Sequence, residues 1–342
     1  MEQTRRRFLT MAGGVTAAST VAGCLDGVTG GSGEEGADAQ ASFFVFGDFA
    51  TQVAGETATT ETLVPLGQHG HGWEPGPRVR KDIRNAELLV HNMEGFQPWV
   101  DDILGDLEAD DTDVAAVDVS SGIDLLEPGA SHDEEEHHDG EHHEAETTHD
   151  GEDGHDEEDG HGHETMDPHF WMDPLRAKEA VSNVRQGLAD IDPDNADAYE
   201  GNTAAYHEEL DALDAELASL VANGEKSTIL LAGHDAFQYL GQRYGIRFES
   251  LTGVSPDDQP TTRDIEQAHE IIAAHDIEYV CADPLESQTA AETLVEDTAA
   301  REVLPLTSMP GLTEEWAGDG WGYLDVMENV NIPTLERALE AR

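Results

Sequence analysis

Apolar positions along the chain fall into two series of short runs, separated by one long helical stripe. In the first series, residues 42–46, 61–66 and 87–91 are strand-like in length and composition, and 77–85 carries a helical pattern between them. A further strand-like piece with its turn covers 115–126. After Pro174 the period becomes helical, with Val181, Val184 and Leu188 on one face. Asp192-Pro193 then offers an N-cap followed by proline at the first helical position. Tyr199, Tyr206, Leu210, Leu213, Leu217 and Leu220 extend one apolar stripe to Gly224, a natural stop, with Gly201 its weak point. Such a helix is roughly 46 Å long, enough to run the height of a two-lobed protein. A second alternating series follows, with strands at 228–232, 248–251, 277–282 and 303–306 and a helix at 262–275. The expected fold is α/β: two lobes with mostly parallel sheets, joined by one long linking helix, with a ligand cleft between them. The lobes span 42–191 and 225–342, and the helix spans 192–224.

The first 41 residues do not fit this pattern. Thr4-Arg5-Arg6-Arg7-Phe8-Leu9 reads as a twin-arginine export signal. The apolar stretch after it, to Gly23, is too short and too polar for a spanning helix. It ends in Val21-Ala22-Gly23-Cys24, which matches a lipobox, so residues 1–23 are expected to be removed and Cys24 to carry a lipid. Residues 24–41, mostly small and acidic, suit a flexible tether. With Cys24 lipidated, Cys281 is the one remaining thiol and no intrachain disulfide can form. Its apolar surroundings predict a buried strand position. The globule is thus expected outside the cell, anchored to the outer face of the membrane.

Charge changes the picture next. The chain has 74 Asp+Glu against 17 Lys+Arg, net −57. A field of that sign repels phosphate backbones, and no basic patch offsets it, so nucleic acid is excluded as a partner. Residues 132–164 hold 16 acids and no Lys or Arg. Without them and the first 23 residues the chain still has 57 acids against 14 bases, so most of the acidity is spread over the body. With only three lysines, this is a halophile-like composition that reports on solvation rather than on partners.

The 17 histidines sort by position. Nine of them, His132, His137, His138, His142, His143, His149, His155, His161 and His163, lie in the acidic low-complexity segment. It lacks the apolar residues to pack, so it is expected to be a disordered loop that collects cations weakly. Three others lie where an α/β protein places ligands. His71 sits in Gly67-Gln68-His69-Gly70-His71-Gly72-Trp73-Glu74-Pro75, His169 in Asp167-Pro168-His169-Phe170-Trp171-Met172-Asp173-Pro174, and His234 in Gly233-His234-Asp235-Ala236-Phe237. Together they offer three neutral nitrogens converging on one cleft. His91, His207, His269 and His275 read as packed or solvated, and Trp73 and Trp171 as cleft walls.

These motifs resemble the metal-specific solute-binding proteins of ABC importers, in the cluster with a rigid linking helix, and its zinc-type members in particular. The first family signature, Gly-x-Asp-Pro-His-x-x-Glu-Pro, is matched at 67–75 except that His69 and Gly70 replace its Asp and Pro. An Asn-Gly…Trp element appears loosely at 92–99, with Met93 for the Gly. The Asp-Pro-His-x-Trp-x-Asp-Pro motif is intact at 167–174, and His-Asp-Ala-Phe-x-Tyr at 234–239. The resemblance runs from about Ser42 to Leu339 and implies His71, His169 and His234 as metal ligands. His69 and Asp283 are accessory candidates. Manganese-type members carry a carboxylate where His234 stands and another near Thr307, so the imidazole set points to Zn2+ ahead of Mn2+.

The expected function is non-catalytic: extracytoplasmic capture of Zn2+ as cargo and its delivery to an ABC permease and ATPase, by a monomer held to the membrane through its lipid. Two other classes compete. One is a tethered metal buffer or adhesin without a transporter. The other is an exported zinc hydrolase, disfavoured because no His-Glu-x-x-His helix or evident general base accompanies the histidines.

Overall fold

The computed structural model describes residues 37–68, 70, 72–129 and 166–342, and these belong to one compact unit. The export signal, Cys24, His69, His71 and the nine histidines of the acidic segment lie outside the described residues.

The first lobe is built from β1 (Asp38–Ala41), α1 (Phe44–Ala54), β2 (Thr59–Thr62), α2 (Pro77–Asn85), β3 (Leu88–His91), α3 (Pro98–Ala109) and β4 (Ala115–Asp118). Among the described residues its four strands are parallel, in the order β2-β1-β3-β4. Next come α4 (Pro174–Ile191) and the long α5 (Ala196–Ala222). The second lobe follows with β5 (Thr228–Leu231), α6 (Gln238–Tyr244), β6 (Arg247–Ser250), α7 (Thr262–His275), β7 (Tyr279–Ala282), α8 (Thr289–Asp297) and β8 (Glu302–Pro305). Its strands are also all parallel, ordered β6-β5-β7-β8. Three short helices close the chain: α9 (Glu314–Gly318), α10 (Tyr323–Val326) and α11 (Ile332–Ala338).

Period-two side-chain alternation sorts each strand between two apolar layers. In β3, Leu88 and Val90 face the central core while Leu89 faces the layer under α2 and α3. In β5, Ile229 and Leu231 face the central core and Leu230 the layer under α7 and α8. The central core is continuous across both lobes. Tyr199, Tyr206, Leu210, Leu213, Leu217 and Leu220 of α5 line it, together with Phe46 and Phe49 of the first lobe and Leu231, Leu304 and Leu306 of the second. A shared core of this kind holds the lobes as one body, because opening them would expose apolar surface to water. Cys281 lies in it, fully buried and free, with burial pushing its thiol up to about 12.

Two strand expectations are corrected. Of the run 61–66 only the first two residues are strand, since β2 ends at Thr62. The apolar run 42–46 is not a strand; Phe44 to Phe46 open α1, and β1 lies before them, in the stretch read as tether. The helix buries Val45, Phe46, Phe49, Ala50, Val53 and Ala54, pairs spaced three to four residues apart, so its first turn looks like a continuous run. The true strand, Asp-Ala-Gln-Ala, has too little apolar bulk to announce itself. The linking helix is also shorter than expected: 27 residues, about 40 Å, because 193–195 form a single 3-10 turn before it. Among the described residues, no helix is long and apolar enough to cross a membrane.

Candidate metal centre

His169 and His234 come together. They are 65 residues apart in sequence, yet their ring centroids lie 5.2 Å apart at an interplanar angle of 47°. Both are buried. His169 precedes the turn Phe170–Met172 that leads into α4, and His234 lies in the loop that leaves the carboxyl end of β5.

Each ring has a carboxylate at Nδ1. For His169 it is Asp167, two residues upstream, with Nδ1 2.8 Å from Oδ1. The same oxygen accepts the His169 backbone N–H at 3.0 Å. Asp-Pro-His is thus a compact local device: proline stiffens the turn, and one carboxylate oxygen bonds both the backbone and the ring of the residue it serves. For His234 the carboxylate is Glu286, in the loop after β7, with Nδ1 2.7 Å from Oε1. Gly233 leaves room for it, since a Cβ there would lie 2.9 Å from Glu286 Oε2. A carboxylate at Nδ1 keeps the imidazole proton on that nitrogen, so Nε2 carries the lone pair. That tautomer and a fixed ring are what a metal-ligating histidine requires.

The supports reach across the lobes. Tyr239, from the second histidine motif, donates its hydroxyl to the Asp167 carbonyl at 2.6 Å and accepts the Leu126 N–H at 2.9 Å. Burial pushes its phenol well above the ordinary value, so it stays a donor. Asn92 donates to the Pro168 carbonyl at 3.3 Å. Trp171 donates its indole N–H to the Ser308 carbonyl at 2.8 Å, and Tyr323 donates to the Trp171 carbonyl at 2.7 Å. Trp171 is fully buried against Phe43, Phe46, Phe96, Phe170 and the His169 ring, a floor beneath the site rather than a cleft wall. Asp167 is wholly enclosed, and burial pushes its carboxyl up to about 7 against the opposing pull of the His169 N–H and the His234 ring.

The remaining candidates sort as follows. Asp283 accepts from the Leu285 N–H at 2.8 Å, the Thr307 hydroxyl at 2.6 Å and the Ser308 N–H at 3.2 Å, so it ties the β7 and β8 loops together. Glu286, which sequence reasoning missed, stands behind His234. It follows Asp283 by three residues in the loop that leaves β7, and β7 lies beside β5, a neighbourhood that spacing alone does not reveal. His71 and His69 have no described position, but Gly72 lines the same cavity of about 520 Å³ as His234 and Glu286. His91 is buried with Nδ1 at the Asn92 carbonyl, His207 is half-buried at the Lys178 carbonyl, and His275 is exposed. Trp73 packs edge-on against Trp99 in the layer under α2 and α3. Among the described residues no group of three or more His, Cys, Asp or Glu is arranged to hold a metal; two of the three predicted ligands are brought together.

The family described as zinc-uptake complex component A, periplasmic, matches residues 40–338. The chain belongs to this family. Its members are zinc-type solute-binding proteins of ABC importers, not enzymes. The high-affinity zinc uptake system protein ZnuA of Bacillus subtilis is 29% identical over 322 residues, covering 93% of each chain. The zinc-binding lipoprotein AdcA of Streptococcus pneumoniae is 30% identical over 299 residues, which is 87% of this chain and 55% of that protein. The crystal structure of the Zn(II)-bound ZnuA-like domain of the same AdcA superposes with a TM-score of 0.70 at 27% identity, covering 89% of this chain and 99% of the domain. The two-lobed parallel-sheet fold is the family's fold.

Proposed function

We propose that this zinc-uptake family member captures Zn2+ outside the cytoplasm through His71, His169 and His234 and passes it to an ABC permease and its ATPase. The observation that carries the reading is the His169–His234 pair: two rings from opposite lobes, each backed by a carboxylate at Nδ1. The third ligand, His71, belongs to a loop whose Gly72 reaches the His234 cavity. A fourth position falls to water, His69 or a carboxylate oxygen of Asp283 or Glu286. Three neutral imidazoles favour Zn2+ over Mn2+ or Ca2+, which prefer oxygen. Cys24 carries the lipid that keeps the monomer at the membrane face, and the histidine-rich segment collects zinc loosely nearby.

Competitive metal loading of the soluble domain with residues 132–163 deleted tests this. One tightly held Zn2+, lost in His169→Ala, is expected. Absence of any tight zinc, or a preference for Mn2+, would overturn it.

A further inference from the structure

The loop between β2 and α2 is exposed along 65–68 and again at Gly72, but Gly70, between His69 and His71, is buried. What draws it in is visible on both sides. Its carbonyl accepts from Gln97 Nε2 at 3.3 Å, and the same nitrogen donates to the Ser42 carbonyl at 3.1 Å. Two carbonyl partners fix which end of the amide faces the loop. Gln97 is itself 2% exposed and stands at the N-cap of α3, so its backbone is fixed by the helix start while its side chain makes no cap bond. On the other side Gly70 lies on the Phe43 ring so closely that a Cβ would come within 2.7 and 2.8 Å of ring carbons. Phe43 cannot easily yield, being packed against Phe46, Phe96 and Trp171 at 5.2–5.5 Å. Trp171 in turn packs against His169 at 5.3 Å. The aromatic floor under His169 is therefore also the seat of the loop.

We propose that Gln97 and the Phe43 ring anchor Gly70, the residue between His69 and His71 in sequence, so that Gln97 is a positioning residue for metal capture. The inference rests on the reading of His71 as a ligand. The anchor acts through hydrogen bonding and close approach, not through contact with the ion. It makes the seating of the loop depend on a buried amide and a missing methyl group.

The test compares Gln97→Met, which keeps shape and loses the donor, with Gly70→Ala, which drives a methyl into Phe43. A second Gly70→Ala variant also carries Phe43→Leu, with Phe43→Leu alone as its control. Zinc affinity by chelator competition should fall about tenfold or more in Gln97→Met and in Gly70→Ala, the scale seen when a group behind a metal ligand is lost. X-ray absorption of the zinc-loaded variants should count fewer imidazoles than in the parent. The double variant should recover affinity relative to Gly70→Ala, which a loss of overall stability would not do. If Gln97→Met does not fold, the Gly70 pair carries the test alone. His71→Ala separates the two readings. Tight zinc retained in His71→Ala would overturn the ligand assignment and the anchor with it. Zinc lost in His71→Ala, with parental affinity and imidazole count in Gln97→Met or Gly70→Ala, would overturn the anchor only.

Discussion

The two lobes repeat one sheet order, yet they hold their histidines by different means. In the first, His169 is oriented by a carboxylate two residues away, fully enclosed, inside a motif that Tyr239 and Asn92 brace. In the second, His234 is oriented by Glu286, 52 positions later and 18% exposed, brought in by the sheet. A local turn supplies its own orienting oxygen, with the fold bracing the turn from outside; a partner supplied across strands depends on the loop that carries it. The difference teaches that two paired histidines need not be held equally firmly.

Removing either ring should give the largest effect. His169→Ala and His234→Ala are each expected to weaken zinc by at least about a hundredfold, about 2.7 kcal/mol, in calorimetry with a competing chelator. Equal, small losses would break the idea of a shared site. The carboxylates sharpen the comparison further. Asp167→Asn should cost about 10- to 100-fold in affinity, and Glu286→Gln should fall at the lower end of that range, because water can replace a partly exposed partner. The reverse order would show that the enclosed carboxylate matters less than its burial suggests.

Acidification comes next. Imidazoles ligate only when neutral, so affinity should decline as pH falls from about 7.5 to 5.5, through the ordinary imidazole value of ~6.5. Zinc binding unchanged at pH 5 would contradict a histidine site. In the empty protein, Asp48 offers a second pH signature. Burial raises its carboxyl above the usual 3.8, against hydrogen bonds from the Tyr323 N–H, Gln52 and Tyr206. The folded state therefore holds that proton more tightly than the unfolded one, and this contribution to stability is present at low pH and fades as pH rises above about 4. Asp48→Asn should flatten that part of a plot of Tm against pH. The smallest effect is expected from deleting 132–163, which should leave the affinity of the tight site within about twofold while reducing the number of weakly held ions.

Much of the fold was legible because its signals are local. Helices α2 and α7 open and close at the predicted residues, and β3 and β5 differ from prediction by one residue at one end, since proline, capping threonine and apolar runs mark those limits. The failure at 42–46 arose because that window covers only the first turn of α1 and the residues before it, too short to show the three- to four-residue spacing of the buried positions that follow. At the site, Asp-Pro-His and His-Asp-Ala-Phe-x-Tyr could be read directly. Glu286 could not, because its role depends on β7 lying beside β5, a fact of sheet order rather than of spacing. Asp283 drew attention by its place at a strand end, but its hydrogen bonds run to Leu285, Thr307 and Ser308.

The continuous core along α5 has a consequence for how a loaded molecule announces itself. A carrier with a loose hinge can signal cargo by changing its outline, and a receptor need only sense the closed silhouette. Here one spine of aromatic and leucine side chains runs from lobe to lobe, so full and empty molecules should present nearly the same profile. Any partner that must tell them apart has to read fine print at the mouth of the cleft: the posture of a loop, or the charge that a divalent ion cancels.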